Sequence, residues 1–280
     1  MRLDRLVRDA VDRLELPFDS LGLDPYGISK SHLRVALTAA AALYRFYFSV
    51  ETRGIENVPA RGRAMLVGNH AGGIAIDAAM VIVSCLLEPK RPRLAQGMAE
   101  KFLGRLPFLG EWASRTGQLP GLPEHAERLL ADERLLLVFP EGSRGTAKLF
   151  RERQSLVEFG PGFARLALRT GAMVVPFAVS GAGEAFPTIA NSYRLGRLLG
   201  VPYVPLVAYG VPIPFPAKIE IDYGAPMRFS GTGDEDDEIV RAYVKEVKQS
   251  IANLLSTAWR RRHGEPPGER RDCTFVGTSR

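Results

Sequence analysis

Short apolar runs alternate with helix-like segments between residues 64 and 223, and this alternation constrains the fold more than any other feature. The runs at 64–68 (AMLVG) and 135–139 (LLLVF) have the length and composition of buried strands, whereas 77–87 and 162–170 have the length and periodicity of helices. Strands that alternate with helices form a central sheet with helices packed against it. We therefore predict an α/β fold with a central, mostly parallel or mixed sheet.

Further segments flank this body on both sides. The amphipathic segment 1–16 predicts a helix that either docks on the body or lies on a membrane surface. The segment 31–48 predicts a helix that is apolar on most sides, so it should be buried or lie against lipid. We divide the chain into an N-terminal helical segment with possible membrane-surface contact, a main body, a C-terminal amphipathic helix and a disordered tail: 1–49, 50–230, 231–262 and 263–280.

The stretch 198–217 carries no charge and is long enough to be considered as a membrane span. It contains five prolines, however, and each removes a backbone donor and disfavours the helix interior that a span in lipid requires. Two structures remain open. The stretch is either a buried irregular connection in the core or an exposed apolar loop that enters one leaflet or holds an acyl chain.

The chain is basic, with a net charge of +6 and a pI near 9.5, and its composition is that of an ordinary globular protein. The basic residues are scattered and show no nucleic-acid-binding signature, so we expect no nucleic acid partner. The two cysteines, Cys85 and Cys273, form neither a disulfide framework nor a zinc-site spacing. We therefore expect no bound metal and a reducing, cytoplasmic compartment.

The first motif follows the strand at 64–68 and reads GNHAGG over residues 68–73, with Asp77 where the next helix begins. Open α/β sheets bind ligands at strand ends of this kind. A neutral histidine can remove a proton from a hydroxyl when a carboxylate fixes its tautomer. We therefore identify His70 and Asp77 as a candidate catalytic pair, although His70 alone also fits a hydrogen-bonded turn residue and Asp77 alone fits a helix N-cap.

The second motif, VFPEGSRG at 138–145, places Glu141, Gly142, Ser143 and Arg144 directly after another apolar run. Glycine lets the backbone approach a ligand closely, and the planar fork of arginine suits phosphate or carboxylate. Ser143 lacks the glycine two residues earlier that the nucleophile elbow of a hydrolase needs. The motif therefore predicts a ligand-binding turn and not a serine nucleophile.

In this order the two motifs resemble the signature blocks of the glycerolipid acyltransferase superfamily, the lysophosphatidic-acid acyltransferase-like enzymes. Those blocks are Asn-His…Asp and Phe-Pro-Glu-Gly-(Thr/Ser)-Arg. Arg115 lies where the family carries an arginine of the acceptor site, and residues 175–178 (VPFA) are similar to its later Val-Pro block. Residues 180–187 and the proline-rich run after them resemble the bacterial branch near monoacylglycerol and diacylglycerol acyltransferases.

The spacing of the first motif departs from the commonest family pattern, which has four residues between histidine and aspartate. Six residues separate His70 from Asp77, and we expect the pair Gly72-Gly73 to absorb the difference. The resemblance implies a glycerol-3-phosphate acyltransferase-like fold over residues 40 to 230.

The resemblance also implies a function. It suggests transfer of a fatty acyl group from acyl-CoA or acyl-carrier protein, as co-substrate, to a hydroxyl of a lysophospholipid, a monoacylglycerol or a diacylglycerol, without a further cofactor. His70 would be the general base and Asp77 its partner. The acceptor or its phosphate would be held by the second motif and by the earlier arginine, namely Glu141, Gly142, Ser143, Arg144 and Arg115. The acceptor lipid implies peripheral attachment to the inner face of the membrane. A non-catalytic lipid carrier and a thioesterase or lipid hydrolase remain alternatives.

Overall fold

The computed structural model describes residues 2–99, 109–211 and 213–264, and its centre is a seven-stranded sheet. The strands are β1 (Glu51–Arg53), β2 (Ala64–Gly68), β3 (Ala95–Ala99), β4 (Leu119–Pro120), β5 (Leu135–Val138), β6 (Met173–Ser180) and β9 (Glu220–Tyr223). Their order across the sheet is β1-β9-β6-β2-β5-β3-β4. The five strands from β6 to β4 are parallel, and β9 runs antiparallel to β6. The predicted fold class is thus confirmed, and the sheet is mixed because β9 and its parallel neighbour β1 run opposite to the other five strands.

Helices cover both faces of this sheet, and other helices lie in the connections between its strands. They are α1 (Leu3–Asp12), α2 (Lys30–Ala42), α3 (Ile76–Leu87), α4 (Leu109–Arg115), α5 (Pro123–Ala131), α6 (Ser143–Thr146), α7 (Gly162–Thr170), α8 (Ala182–Ala185), α9 (Tyr193–Leu199) and α10 (Asp237–His263). One apolar cluster joins α1, α2 and α3 to one face, and a second joins α5, α7 and α10 to the other. The protein therefore has three layers, with the sheet in the middle.

The central strands bury side chains in both directions. Every residue of β2 is buried, with Leu66 in the first cluster and Met65 and Val67 in the second. A strand covered on both faces reads as a continuous apolar run, which is why AMLVG shows no alternation of polar and apolar residues.

The N-terminal helices belong to the same core as the body. Val7, Ala10 and Val11 of α1 are buried in the cluster that also contains Leu66, so α1 docks on the body. The second helix ends in a short π-helix (Leu43–Tyr47), which buries Tyr44 and exposes Phe46. Of the two alternatives for the first segment, α1 therefore shows docking on the body. The second segment, α2 with its π-helix, has both a buried and an exposed side.

The stretch 198–217 is exposed over most of its apolar side chains, so the alternative of a buried connection is wrong. It includes β8 (Val204–Val207), which pairs with β7 (Thr188–Ser192) in a separate two-stranded antiparallel sheet that the sequence did not predict. Among the described residues, none of the helices combines the length and apolar character needed to cross a bilayer. The tail predicted at 263–280 lies outside the described residues from residue 265 onward.

Candidate active site

The two motifs meet at one edge of the sheet. Strands β2 and β5 are parallel neighbours, with Val67 paired with Val138, so both chains leave the sheet at the same edge. His70 follows β2, and Glu141 follows β5. Topology alone therefore brings the two motifs together.

Asn69 fixes the point at which the first motif leaves the sheet. Its side-chain Oδ1 accepts the Val179 N–H at 2.8 Å, and its Nδ2 donates to the Val179 carbonyl at 3.0 Å. The buried amide therefore replaces a backbone pairing between the strand ends, which holds the start of the loop against β6. The first motif contains Asn69, but its sequence did not indicate this role.

His70 and Asp77 form a hydrogen-bonded pair. His70 Nδ1 lies 2.7 Å from Asp77 Oδ2, and the same oxygen accepts the Ala71 N–H at 2.8 Å. Asp77 is fully buried in the first turn of α3, where the helix dipole favours a negative charge. The second carboxylate oxygen accepts the Ala78 N–H at 2.8 Å. Three groups therefore hold the Asp77 carboxylate: the His70 ring and the N–H groups of Ala71 and Ala78. The other ring nitrogen of His70, Nε2, takes no part in this pair.

The six-residue spacing is accommodated by the glycine pair. Gly72 and Gly73 have φ values of +93° and +66°, a region that favours glycine. A Cβ on Gly72 would lie 2.7 Å from the Ala182 carbonyl oxygen, and one on Gly73 would lie 2.5 Å from the Phe186 ring. The two glycines therefore form a tight turn against a neighbouring segment, and this turn returns the chain to Asp77 as the spacing argument predicts.

The imidazole ring is packed between both motifs. It stacks on Phe139 with a centroid separation of 4.0 Å and an interplanar angle of 15°. Gly145 approaches so closely that a Cβ there would lie 2.7 Å from the Cβ of His70. The His70 side chain keeps 12% of its surface exposed. The ring is therefore held in one orientation and still reaches solvent.

Glu141 lies inside the protein and not on the surface of an acceptor site. Its side chain is fully buried, and Lys148 Nζ lies 3.1 and 2.9 Å from its two oxygens. Its Oε1 also accepts the backbone N–H of His70 at 3.1 Å, and Oε2 accepts the backbone N–H of Val157 at 3.1 Å. The assignment of Glu141 to direct acceptor binding is therefore corrected, because both oxygens are engaged in joining the two motif loops.

The rest of the second motif forms a sharp turn into α6. Gly142 has a φ of +57° and donates its N–H to the Phe139 carbonyl at 2.9 Å, and Ser143 begins the helix. Arg144 is exposed, and one of its nitrogens, Nη2, donates to the Glu158 carbonyl at 3.1 Å. The remaining guanidinium N–H groups give this turn a cationic surface beside the His70 loop.

A second cation, Lys248 of α10, lies close to Arg144. Its Nζ lies 5.4 Å from the centroid of the Phe159 ring, next in sequence to the residue that Arg144 binds. Burial lowers the pKa of Lys248, Glu141 and Glu158 oppose this shift, and the positive charges of Arg144 and Lys148 add to it. Lys248 therefore belongs to the electrostatic environment of the second motif, although it lies 104 residues after Arg144 in the sequence.

Arg115 lies at the opposite edge of the sheet, and its assignment to the acceptor site is corrected. It ends α4 and precedes β4, which is parallel to the strands that lead into the motifs. Its Nη1 donates to the Gly27 carbonyl at 3.4 Å, and its own carbonyl accepts the Ser29 N–H at 2.9 Å. Ser29 follows the turn of Asp24, which binds Arg134 directly before β5. Glu141 follows that strand, so the four residues of β5 separate the two places by roughly 13 Å. Arg115 therefore fastens the N-terminal segment.

The central part of the chain is similar to known acyltransferases. Residues 49–180 match the acyltransferase family. An uncharacterised protein of Mycobacterium tuberculosis is 33% identical over 249 residues, which cover 85% of this chain and 68% of that protein. A chloroplastic 1-acyl-sn-glycerol-3-phosphate acyltransferase of Arabidopsis thaliana is 26% identical over 181 residues, covering 59% of this chain and 45% of that protein.

The fold is also found among solved structures. The crystal structure of the 1-acyl-sn-glycerophosphate acyltransferase of Thermotoga maritima superposes with a TM-score of 0.56 over 82% of each chain, at 18% identity. The family match, the plant relative and the shared fold together identify the chain as a member of the glycerolipid acyltransferase superfamily. The chain belongs to the acyltransferase family and is an O-acyltransferase.

Proposed function

We propose that this enzyme transfers a fatty acyl group from a thioester donor, acyl-CoA or acyl-carrier protein, to a hydroxyl of a glycerolipid. The observation that supports this proposal best is the pair His70–Asp77, with its 2.7 Å hydrogen bond, at the sheet edge of an acyltransferase. A carboxylate on Nδ1 holds the imidazole in the tautomer whose Nε2 can accept a proton.

His70 acts as the general base in the proposed reaction. Its Nε2 takes the proton of the acceptor hydroxyl as the oxygen attacks the thioester carbonyl. The C–O bond forms, the tetrahedral intermediate collapses, and the C–S bond breaks. The imidazolium then returns the proton to the departing thiolate. Asp77 stabilises the transient positive charge on His70, and no acyl-enzyme is required because the thioester is already activated.

Backbone amides after His70 are the candidates for binding the developing oxyanion. Within the described residues, the N–H groups of Gly72 and Gly73 donate no hydrogen bond. The N–H of Gly142, which the motif also suggests, is already bound to the Phe139 carbonyl. Fixed donors directed at an oxyanion usually supply the largest part of the catalysis of acyl transfer. The Gly72-Gly73 turn is therefore the better candidate of the two.

Arg144 and Lys248 supply the positive charge for a phosphate group in the proposal. The forked guanidinium of Arg144 suits a phosphate monoester or diester, and Lys248 adds a point charge beside it. Both substrates of the reaction can bring such a group, since acyl-CoA and a lysophospholipid are phosphorylated. The name of the Arabidopsis relative, whose acceptor is a glycerol phosphate, supports the second source.

The acceptor lipid reaches the site from a membrane, so we place the enzyme at the inner face of the membrane as a peripheral protein. The test is product identification by mass spectrometry, with the full-length enzyme, isotope-labelled acyl-CoA or acyl-carrier protein and lysophosphatidic acid, other lysophospholipids, monoacylglycerol and diacylglycerol as separate acceptors. We expect a labelled acyl lipid from one acceptor class with the enzyme and none with His70→Ala. Labelled free fatty acid in place of acyl lipid would indicate a hydrolase, and no turnover of either donor would indicate a lipid carrier.

A further inference from the structure

The segment 185–217 contains no Asp, Glu or Lys and only two charged residues, Arg194 and Arg197. Both arginines are exposed on α9. The segment also leaves a series of large apolar side chains in contact with solvent: Ile189, Tyr193, Leu195, Leu198, Leu199, Leu206, Val211, Ile213 and Phe215. Contiguous exposed apolar surface of this kind marks an interaction site in a folded protein.

The packing of α9 explains why its apolar residues face outward. The only buried residue of this helix is Gly196, and a Cβ there would lie 2.6 Å from the Cα of Tyr203. The helix therefore rests on the rest of the segment through its smallest residue. Leu198 is 80% exposed and Leu199 is 60% exposed, although leucine is usually buried.

The π-helix at the end of α2 extends this surface. Tyr47 donates its hydroxyl to the Pro214 carbonyl at 2.7 Å, which joins the π-helix to the loop that carries Ile213 and Phe215. Its neighbour Phe46 is 77% exposed. Arg45, also exposed, adds a third positive charge. We call the π-helix, α9, β8 and the loop 213–217 together the apolar face.

The apolar face is connected to both motif loops. Tyr203 donates its hydroxyl to Thr146 and lies 3.4 Å from the Gly73 carbonyl. Asn191 donates to the Ala147 carbonyl at 2.6 Å. The segment that presents the apolar face is therefore built directly onto the loops around His70.

We infer that the apolar face docks on an anionic lipid bilayer, with Leu198, Leu199 and Phe46 inserted among the acyl chains and the arginines at the headgroups. Apolar insertion and cationic contact are additive in interfacial binding, and a face with three arginines and no acid complements an anionic surface. The helix α1 does not serve as the anchor, because its apolar side is buried against α2 and α3. The biological purpose of this docking, delivery of the lipid acceptor to His70, rests on the proposed function.

The test is co-sedimentation of the full chain with vesicles of phosphatidylcholine alone or with phosphatidylglycerol, in the absence of any acyl donor. We expect the protein to pellet with the anionic vesicles. The double variant Leu198→Ser/Leu199→Ser should lower the partition coefficient at least tenfold. Arg194→Gln/Arg197→Gln should lower it about fivefold per charge on anionic vesicles and hardly at all on neutral ones.

Leu21→Ser is the matched control, because Leu21 is 82% exposed but lies outside the apolar face. It should leave vesicle binding unchanged, and circular dichroism should show that all variants fold. Three results would overturn the inference. These are recovery of the wild type in the supernatant at low salt, equal binding by the leucine variant, or a dimer in sedimentation velocity that the leucine variant abolishes, which would assign the face to a second copy of the chain. Binding without turnover would contradict the proposed function and leave the docking face intact.

Discussion

Two buried ion pairs lie at opposite edges of the parallel strands, and they differ in what they hold. Glu141–Lys148 lies at the edge of the two motifs, with a shortest N–O distance of 2.9 Å. Asp24–Arg134 lies at the other edge, just before β5, with a distance of 3.1 Å. All four side chains are almost completely buried. Each edge thus has one buried pair of a carboxylate and a cation.

The hydrogen bonds of the two carboxylates show the difference. Both oxygens of Glu141 accept backbone N–H groups, one from His70 and one from Val157, so this carboxylate joins three separate segments. Asp24 uses Oδ1 alone for the N–H groups of Tyr26 and Ile28 in its own turn, and Oδ2 binds Arg134. The pair near His70 therefore positions the His70 loop, whereas the distant pair fastens the N-terminal segment.

The variants with the largest expected effect test whether the reaction takes place at the edge that carries the two motifs. His70→Ala should lower kcat by on the order of 10²–10⁴, because the general base is lost. Asp77→Asn should lower kcat by on the order of 10²-fold, because the tautomer and the charge partner of His70 are lost. Steady-state kinetics with the donor and acceptor identified by mass spectrometry measure both.

The double variant His70→Ala/Asp77→Asn distinguishes a catalytic pair from two independent residues. If Asp77 acts through His70, the double variant should be no slower than His70→Ala alone, because residues that act as a unit are not additive. Multiplication of the two effects would contradict the pair, and near-normal activity of His70→Ala would remove the mechanism. Thermal unfolding serves as the control that each variant folds.

The isosteric variants Glu141→Gln and Asp24→Asn set the two ion pairs against each other. Glutamine at 141 cannot accept both backbone N–H groups, so we expect a loss of about 2–4 kcal/mol in the free energy of unfolding and about a tenfold fall in kcat. Asparagine at 24 can keep both turn bonds and loses only Arg134. It should cost about 1–3 kcal/mol and leave kcat within about twofold.

Urea unfolding and kcat, measured on the same preparations, check this contrast. Equal losses of activity in the two variants at a temperature where both are folded would show that Glu141 has no positioning role beyond stability.

Much of the site could be predicted because its residues are close in sequence or follow adjacent strands. His70 and Asp77 lie at the two ends of one short loop. The apolar runs before the two motifs identify the strands that bring the motifs together. The glycine pair even indicated how the longer spacing is absorbed. Local periodicity was also sufficient for helix α7, whose predicted and observed bounds coincide.

The remaining residues depend on packing that no local pattern reveals. The short helix α6 separates Lys148 from its partner Glu141 in sequence. Lys248 approaches the second motif from α10. A loose similarity assigned Arg115 to the acceptor site. The strand that follows Arg115, β4, has only two residues, which are too few to show any periodicity. Whether an arginine lies at the beginning or at the end of the parallel strands can be predicted only after the neighbouring strand has been identified.

Arg144 and Arg115 offer a second contrast between the edges. Arg144→Ala should raise KM for a phosphate-bearing substrate about tenfold, because a charge-assisted contact of about 1.5 kcal/mol is lost. Arg115→Ala should change KM less than about twofold, since this residue binds the Gly27 carbonyl at the far edge. Initial rates over a range of donor and acceptor concentrations measure both. A larger effect of Arg115→Ala would restore the acceptor assignment and contradict the placement at the far edge.

The smallest expected effect concerns Lys248, a residue of α10 that adds a positive charge to the cationic surface of Arg144. Lys248→Gln should raise KM about threefold, because a partly exposed charge contributes less than a forked arginine. Burial lowers the pKa of Lys248, so the lysine loses its proton at a lower pH than an ordinary lysine does. KM of the wild type should therefore rise as the pH is raised, at a lower pH than an ordinary lysine would cause, and this rise should be weaker in Lys248→Gln. Lys245→Gln, on the same helix, is the matched control. Identical pH profiles of KM in the wild type and Lys248→Gln would show that the phosphate does not contact this residue and that the anion site is confined to Arg144.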